Sequence, residues 1–277
     1  MTDPSLINFY YSNEIYPEGT YERLRGINNL TLSDSKSFNE PYLLGGSPSL
    51  AFPNAPAEFN LSFDRSFISR DALFPFTGLN PMKKAYIKNG DSTTVTFLCD
   101  LYLTNYSAGF SIGELPVINT KFVSYSCEQK INTVNTISAI SEGSYGLQIP
   151  TLSSITIAGT NSNEINVNNN IYSFDYSLEI KRQPFFSVGQ YNPYVQTILP
   201  IIINFSVNSK IYSPLLEKYT PKYQSVGLYN FVVCICHAAN DGTSFPITNA
   251  TLISTDIQYS STNTTEIKRT FRGYYGI

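Results

Sequence analysis

Four short stretches in which apolar and polar residues alternate occur twice in this chain, in the same order. Ile27-Asn28-Asn29-Leu30-Thr31-Leu32-Ser33 matches Leu152-Ser153-Ser154-Ile155-Thr156-Ile157-Ala158, with apolar residues at 27/152, 30/155 and 32/157. Phe59–Phe67 matches Tyr176–Pro184, each run ending its apolar face on an arginine, Arg65 or Arg182. Val95, Phe97, Cys99, Leu101 and Leu103 form one face of a third stretch, with Thr94, Thr96, Asp100 and Thr104 opposite. Ile201, Ile203, Phe205 and Val207 do the same in the second half, and Asn119–Ser124 matches Asn249–Ser254. A period of two is the signature of a pleated strand that covers a core on one side. Its recurrence in a fixed order predicts a duplicated β unit.

The expected fold is therefore all-β. It comprises two tandem related domains of sandwich or barrel type, with long loops and arms and little helix. Residues 1–26 read as an N-terminal arm, 27–140 as the first domain and 141–277 as the second. The first half carries an insert at Lys36–Glu58 rich in proline and glycine, against a shorter Asn/Ser stretch at Thr160–Asn170. The second half has an excursion at Tyr212–Gly227 and an extra strand candidate at Leu228–Cys236. Only Leu215–Tyr219 and Asn132–Ser141 offer a weak helical pattern. Long unstructured connections are often functional. Lys36–Glu58 and Met1–Tyr21 are expected to reach neighbouring subunits.

Composition favours self-association over catalysis. The 277 residues are 42% hydrophobic but 14% charged, against roughly 25% in ordinary soluble domains, so Asn, Ser and Thr must supply the polar surface. Such a surface is cheaper to desolvate than Lys or Glu, although AT-rich codons would give the same bias. Tyrosine (21) and phenylalanine (18) are abundant, which suits strand cores and interfaces. A net charge of −3 gives no electrostatic grip on nucleic acid or an anionic membrane. No apolar run approaches the ~20 residues of a spanning helix, and the N-terminus lacks the pattern of a signal peptide.

Chemistry-bearing motifs are few. Cys234-Ile235-Cys236-His237 would place two thiols on one strand face, but zinc wants about four ligands and the chain offers no second cluster. His237 is the one histidine, and no Gly-X-Ser-X-Gly elbow, phosphate loop or calcium loop occurs. The carboxylates are scattered, and a sugar-cleaving β protein would usually present tryptophan, of which there is none. The expectation is no enzyme activity, no catalytic residue, no metal and no cofactor. Arg65 and Arg182 read as arginines that snorkel at a sheet rim and pair with carboxylates across a subunit boundary.

The segment Ser177–Gln190, followed by Pro193-Tyr194 and the strand Leu199–Val207, resembles the tail tube (major tail) proteins of tailed bacteriophages. There a strand ending in Arg-X-Pro leads through a glycine turn to a Pro-led apolar strand. The first half departs from that pattern, with Ser66 and Phe67 in place of Gln183 and Pro184. The resemblance implies a virion protein made in the host cytoplasm, which assembles with itself into stacked rings of six subunits or of three pseudo-hexameric ones. It also implies contacts with other tail proteins such as tape measure, sheath or terminator, DNA passing through without specific binding, and no membrane anchor. A distal tail, terminator or hub subunit, or a carbohydrate-binding fibre domain, are the alternatives. The strand faces bearing Asn60, Ser62 and Asp64, and Asn204, Ser206 and Asn208, are the expected lumen side. Phe59, Leu61, Phe63, Ile203, Phe205 and Val207 are expected to pack behind them.

Overall fold

The computed structural model describes residues 7–12, 22–24, 26–36, 38–39, 52–53, 57–66, 81–89, 94–131, 155–160, 171–188, 192–212, 229–238, 241–259 and 264–275. The fold is all-β, with no helix among these residues. The first half supplies β1 (Ile7–Ser12), β2 (Glu22–Leu24), β3 (Ile27–Ser35), β4 (Phe38–Asn39), β5 (Phe52–Pro53), β6 (Glu58–Ser66), β7 (Met82–Asn89), β8 (Thr94–Ser111), β9 (Val117–Ser124) and β10 (Ser126–Ile131). The second supplies β11 (Ile155–Thr160), β12 (Ile171–Phe185), β13 (Tyr194–Tyr212), β14 (Tyr229–Ala238), β15 (Asp241–Tyr259) and β16 (Thr264–Tyr275). The helical candidates at 132–141 and 215–219 lie outside the described residues, as does most of Tyr212–Gly227.

Hydrogen bonding links fourteen of these strands. Eight form a wide antiparallel sheet in the order β3-β6-β9-β8-β12-β13-β16-β15. Two long strands leave it part-way. The first part of β8 pairs with β7 and β10, and β7 continues to β1 and β2. The first part of β15 pairs with β14, which continues to β11. Each long strand thus serves two layers, and the core lies between the layers.

The turn from one layer to the other is made by a single residue. Among the described residues, Asp100 in β8 and Asn249 in β15 are the non-glycine residues with positive φ, 48° and 51°. Asp and Asn tolerate this left-handed conformation better than other L-residues. The inserted kink switches the inward phase. Leu98 and then Leu101 are buried in β8, and Ile247 and then Ala250 in β15. The alternation expected through Cys99 is corrected here: Cys99 is half-buried and Leu98 takes the core position.

The two hairpin pairs in the wide sheet share their irregularities. In β3–β6 the register slips between Ile27 and Asn29, and in β12–β13 between Ile171 and Ser173. In β8–β9 it slips between Leu103 and Asn105, and in β15–β16 between Leu252 and Ser254. Because a bulge re-aims every later side chain, matching bulges place matching residues. Phe122 of β9 stands opposite Leu103, and Phe271 of β16 opposite Leu252; both phenylalanines are buried.

These ladders correct the strand matches read from sequence. β3 pairs with β6 whereas β11 pairs with β14, so the runs at 27–33 and 152–158 hold different places. By order and bulge, β3 corresponds to β12, β6 to β13, β8 to β15 and β9 to β16. The alternating patterns looked alike because any half-buried strand has them. Of the insert, only Phe38–Asn39 and Phe52–Pro53 are described within its loop, and they hold the place of the outer β12–β13 hairpin; residues 161–170 lie outside the described set. β4 and β5 pair Phe38 with Pro53, as that hairpin pairs Arg182 with Thr197. Residues 40–51 lie outside the described set. Part of the expected N-terminal arm is also corrected, since Ile7–Ser12 is a strand paired with β7 of its own chain.

Aromatic packing marks the middle of the wide sheet. Phe110 of β8 stacks on Phe174 of β12 at 5.1 Å with the rings 6° apart. Phe245 from the covering part of β15 meets Phe110, Phe174 and Tyr176. Each such pair adds about 0.5–1.5 kcal/mol beyond burial. Buried aromatic rings therefore pack across the β8–β12 joint.

Candidate functional site

One face of the wide sheet is apolar and covered; the other is polar, exposed at Asn60 and Asp175 but buried at Ser173 and Ser206. Along β6 the burial alternates from Asn60 to Ser66, with Leu61, Phe63 and Arg65 inward and Asn60, Ser62 and Asp64 outward. On β13, Ile203, Phe205 and Val207 are buried, while Asn204 and Asn208 are half-buried on the other face. By bulge alignment Asn60, Ser62 and Asp64 hold the places of Asn204, Ser206 and Asn208.

Side chains on the polar face bond across strands rather than to one backbone. Asn208 Nδ2 donates to Ser173 Oγ at 2.7 Å, Ser206 Oγ donates to Asp175 Oδ2 at 3.1 Å, and Arg272 Nε donates to Asn204 Oδ1 at 3.3 Å. The expectation of a face without bases needs correction, because Lys121, Lys210, Lys268 and Arg272 also lie on it. Two of them stand against acids. Lys210 Nζ lies 3.2 Å from Glu266, and Lys268 stands opposite Asp256. Opposite-sign neighbours leave no continuous basic track.

The bulge residues make matched contacts. Asn28 Nδ2 donates to Ser66 Oγ at 3.2 Å. At the corresponding place, Lys210 Nζ sits 4.7 Å over the ring of Tyr172, whose hydroxyl donates to Glu266. Burial and the adjacent Glu266 push the Tyr172 hydroxyl upward in pKa.

The two arginines singled out from sequence are not equivalent. Arg65 lies on β6, opposite Ile27 and Ile118, and is 3% exposed, so it does not snorkel at a rim. Its charge tempers the upward push that burial gives the Tyr106 hydroxyl. Arg182 lies on the outer β12–β13 hairpin and crosses to the first half. Its Nε donates to the Leu103 carbonyl at 3.0 Å, its guanidinium lies 5.7 Å from the centre of the Tyr102 ring, and Nη1 donates to Thr197 Oγ1. Burial lowers its pKa to about 10. Phe186 on the same hairpin meets Tyr125 edge-on at 6.2 Å. This hairpin is an arm: beyond the sheet it exposes Phe185, Phe186, Val188, Tyr194, Ile198 and Leu199.

The edges of the wide sheet are the surfaces that sequence reasoning missed. Among the described residues β3 is laddered to β6 alone, and Thr251–Tyr259 of β15 to β16 alone. Ile253 is 54% exposed there and Tyr259 71%. β16 was also missed, because Lys268, Arg269 and Arg272 obscure its Thr265, Ile267, Phe271 alternation. The side chains of Cys234, Cys236 and His237 lie outside the described residues. The chain matches neither the sequence models of known protein families nor the sequence of a characterised protein.

Proposed function

We propose that this chain is a structural subunit of a phage tail tube: a duplicated β protein that assembles with copies of itself into stacked rings around a DNA conduit. The carrying observation is the wide sheet. Two four-strand units with the same order and a matching bulge in each of two hairpins stand side by side in it, joined through β8 and β12, and among the described residues neither outer edge is laddered further. A joint between unlike edges of one repeated unit can continue from chain to chain, and such head-to-tail contact closes into a ring or runs on as a filament.

The polar face supports the conduit reading. It is rich in Asn and Ser, two of its four bases stand against acids, and it would offer phosphates little net attraction. The apolar arm at 180–200 supports stacking, since exposed apolar area of this kind marks contact surfaces. Three such chains would give the pseudo-sixfold ring that the tail-tube resemblance implies. Negative-stain microscopy of purified protein tests this: rings or tubes with a central channel are expected. A monodisperse monomer across a wide concentration range overturns it.

A further inference from the structure

The joint inside the chain specifies the joint between chains. β8 and β12 pair antiparallel, with Phe110 opposite Phe174, Ala108 opposite Tyr176 and Ser107 opposite Ser177. β15 holds the place of β8 and β3 that of β12, and the bulges fix this correspondence residue by residue. Tyr259 takes the place of Phe110, Ile257 of Ala108 and Asp256 of Ser107. Leu30 takes the place of Phe174, Leu32 of Tyr176 and Ser33 of Ser177.

We propose that Thr251–Tyr259 of one copy adds antiparallel to β3 of a second copy, with Tyr259 opposite Leu30, Ile257 opposite Leu32 and Asp256 opposite Ser33. The side chains fit that occupant. Leu30 and Leu32 are half-buried at the open edge where Phe174 and Tyr176 are buried at the joint, and Tyr259 is exposed where Phe110 is 1% exposed. The second copy supplies the missing cover.

This register rests on the self-assembly reading but is tested separately from it. A chain carrying Ser33→Cys and Asp256→Cys is oxidised after assembly and run without reductant, beside the native chain. Opposed Cα atoms in a ladder are about 4.5–5.5 Å apart, within disulfide reach. A ladder of covalent multimers is expected. The two sites cannot link within one chain, since the edges are seven strand spacings apart, about 33 Å. A chain with Thr31→Cys and Ser254→Cys, four residues off register, should stay monomeric on the gel. Rings or tubes without the first cross-link, or with the second, overturn the register while the assembly reading stands. A fast-migrating monomer linked within itself overturns the second copy as occupant. Neither rings nor links overturns both.

Discussion

Asp100 and Asn249 do the same work in two long strands: each takes a left-handed backbone conformation where its strand passes from the covering layer to the wide sheet. In both, a bulge follows shortly, at Thr104 and at Ile253, and a buried phenylalanine of the next strand closes the corner. The pair explains how an 18-residue strand and a 19-residue strand each contribute to two layers.

The corner predicts a graded response at position 249. Asn249→Gly should leave stability within a few tenths of a kcal/mol, because glycine accepts positive φ freely. Asn249→Val should cost ~1–2 kcal/mol, the steric cost of a left-handed β-branched residue. The backbone bond from Asn249 N to Asn230 Oδ1, 2.7 Å, holds the corner in place and prevents escape to another conformation. Urea midpoints of the two variants check this. Equal midpoints would mean that the corner relaxes.

All-β character was legible because strand periodicity is a local property. Leu61, Phe63, Phe205 and Val207 announced their burial by alternation alone, and the structure buries each of them. Which strands hold like places in the sheet was not legible in the same way. Arg65 and Arg182 end similar runs, yet they lie in β6 and on the outer β12–β13 hairpin, strands with different neighbours. Which strand lies beside which is decided by bulges and non-local pairing, and a bulge such as Asn28 or Tyr172 leaves no residue signature. The open edges were invisible for the same reason: β3 reads like any half-buried strand.

The seam between the units should be as costly to disturb as any core. Phe174→Ala removes the ring stacked on Phe110 and touched by Phe205 and Phe245. A loss of roughly 3–5 kcal/mol is expected. Phe174→Leu, the residue at the corresponding place on β3, should recover most of it. Chemical denaturation followed by far-ultraviolet circular dichroism is the measurement. A cost below about 1 kcal/mol for alanine would show that the joint repacks freely.

Gly273 of β16 marks a close approach between layers. A Cβ there would lie 2.9 Å from Ile247 Cγ2 and 3.1 Å from the Thr248 carbonyl oxygen. The second contact is backbone and cannot rotate away, so Gly273→Ala should destabilise by about 1–3 kcal/mol through overpacking. Gly109 offers a control. A Cβ there meets Asp175 Oδ1 at 3.3 Å, the end of a side chain exposed on the polar face, so Gly109→Ala should be nearly neutral. A reversed order of the two midpoints would refute this account of the layer spacing.

Alkaline pH should unfold the chain, with a sign set by its tyrosines. Burial raises the hydroxyl pKa of Tyr102, Tyr106, Tyr125 and Tyr172 above the ordinary 10, Tyr125 to about 12. A raised folded value stabilises below the unfolded pKa and is lost as pH climbs through the folded one. Stability should therefore hold to about pH 10 and decline above it. Arg182, lowered to about 10 by burial, acts in the opposite sense. Tyrosinate absorbance followed beside circular dichroism should show some tyrosines ionising only as structure is lost. Full ionisation near pH 10 with the fold intact would contradict it.

The polar face yields the prediction closest to function. Ser62 stands opposite Lys121 and Asn204 opposite Arg272, so lysine at either would meet a like charge across the ladder. The cross-strand partners of Asn60 (Ser33 and Val123) and of Ser177 (Ser107 and Asn204) are uncharged, and Asn60 Nδ2 donates to Glu58 Oε1, a carboxylate that a lysine there would meet. Asn60→Lys with Ser177→Lys should leave the fold and the assembly intact while giving each subunit two new cations on that face. If the chain forms the proposed conduit, assembled native protein should retain duplex DNA weakly and with little salt dependence. The double variant should retain it at low salt and release it steeply as salt rises, because each neutralised phosphate frees counterions. Unchanged retention in intact rings would mean that this face does not meet the cargo, and the lumen would then have to be sought on the covering layers.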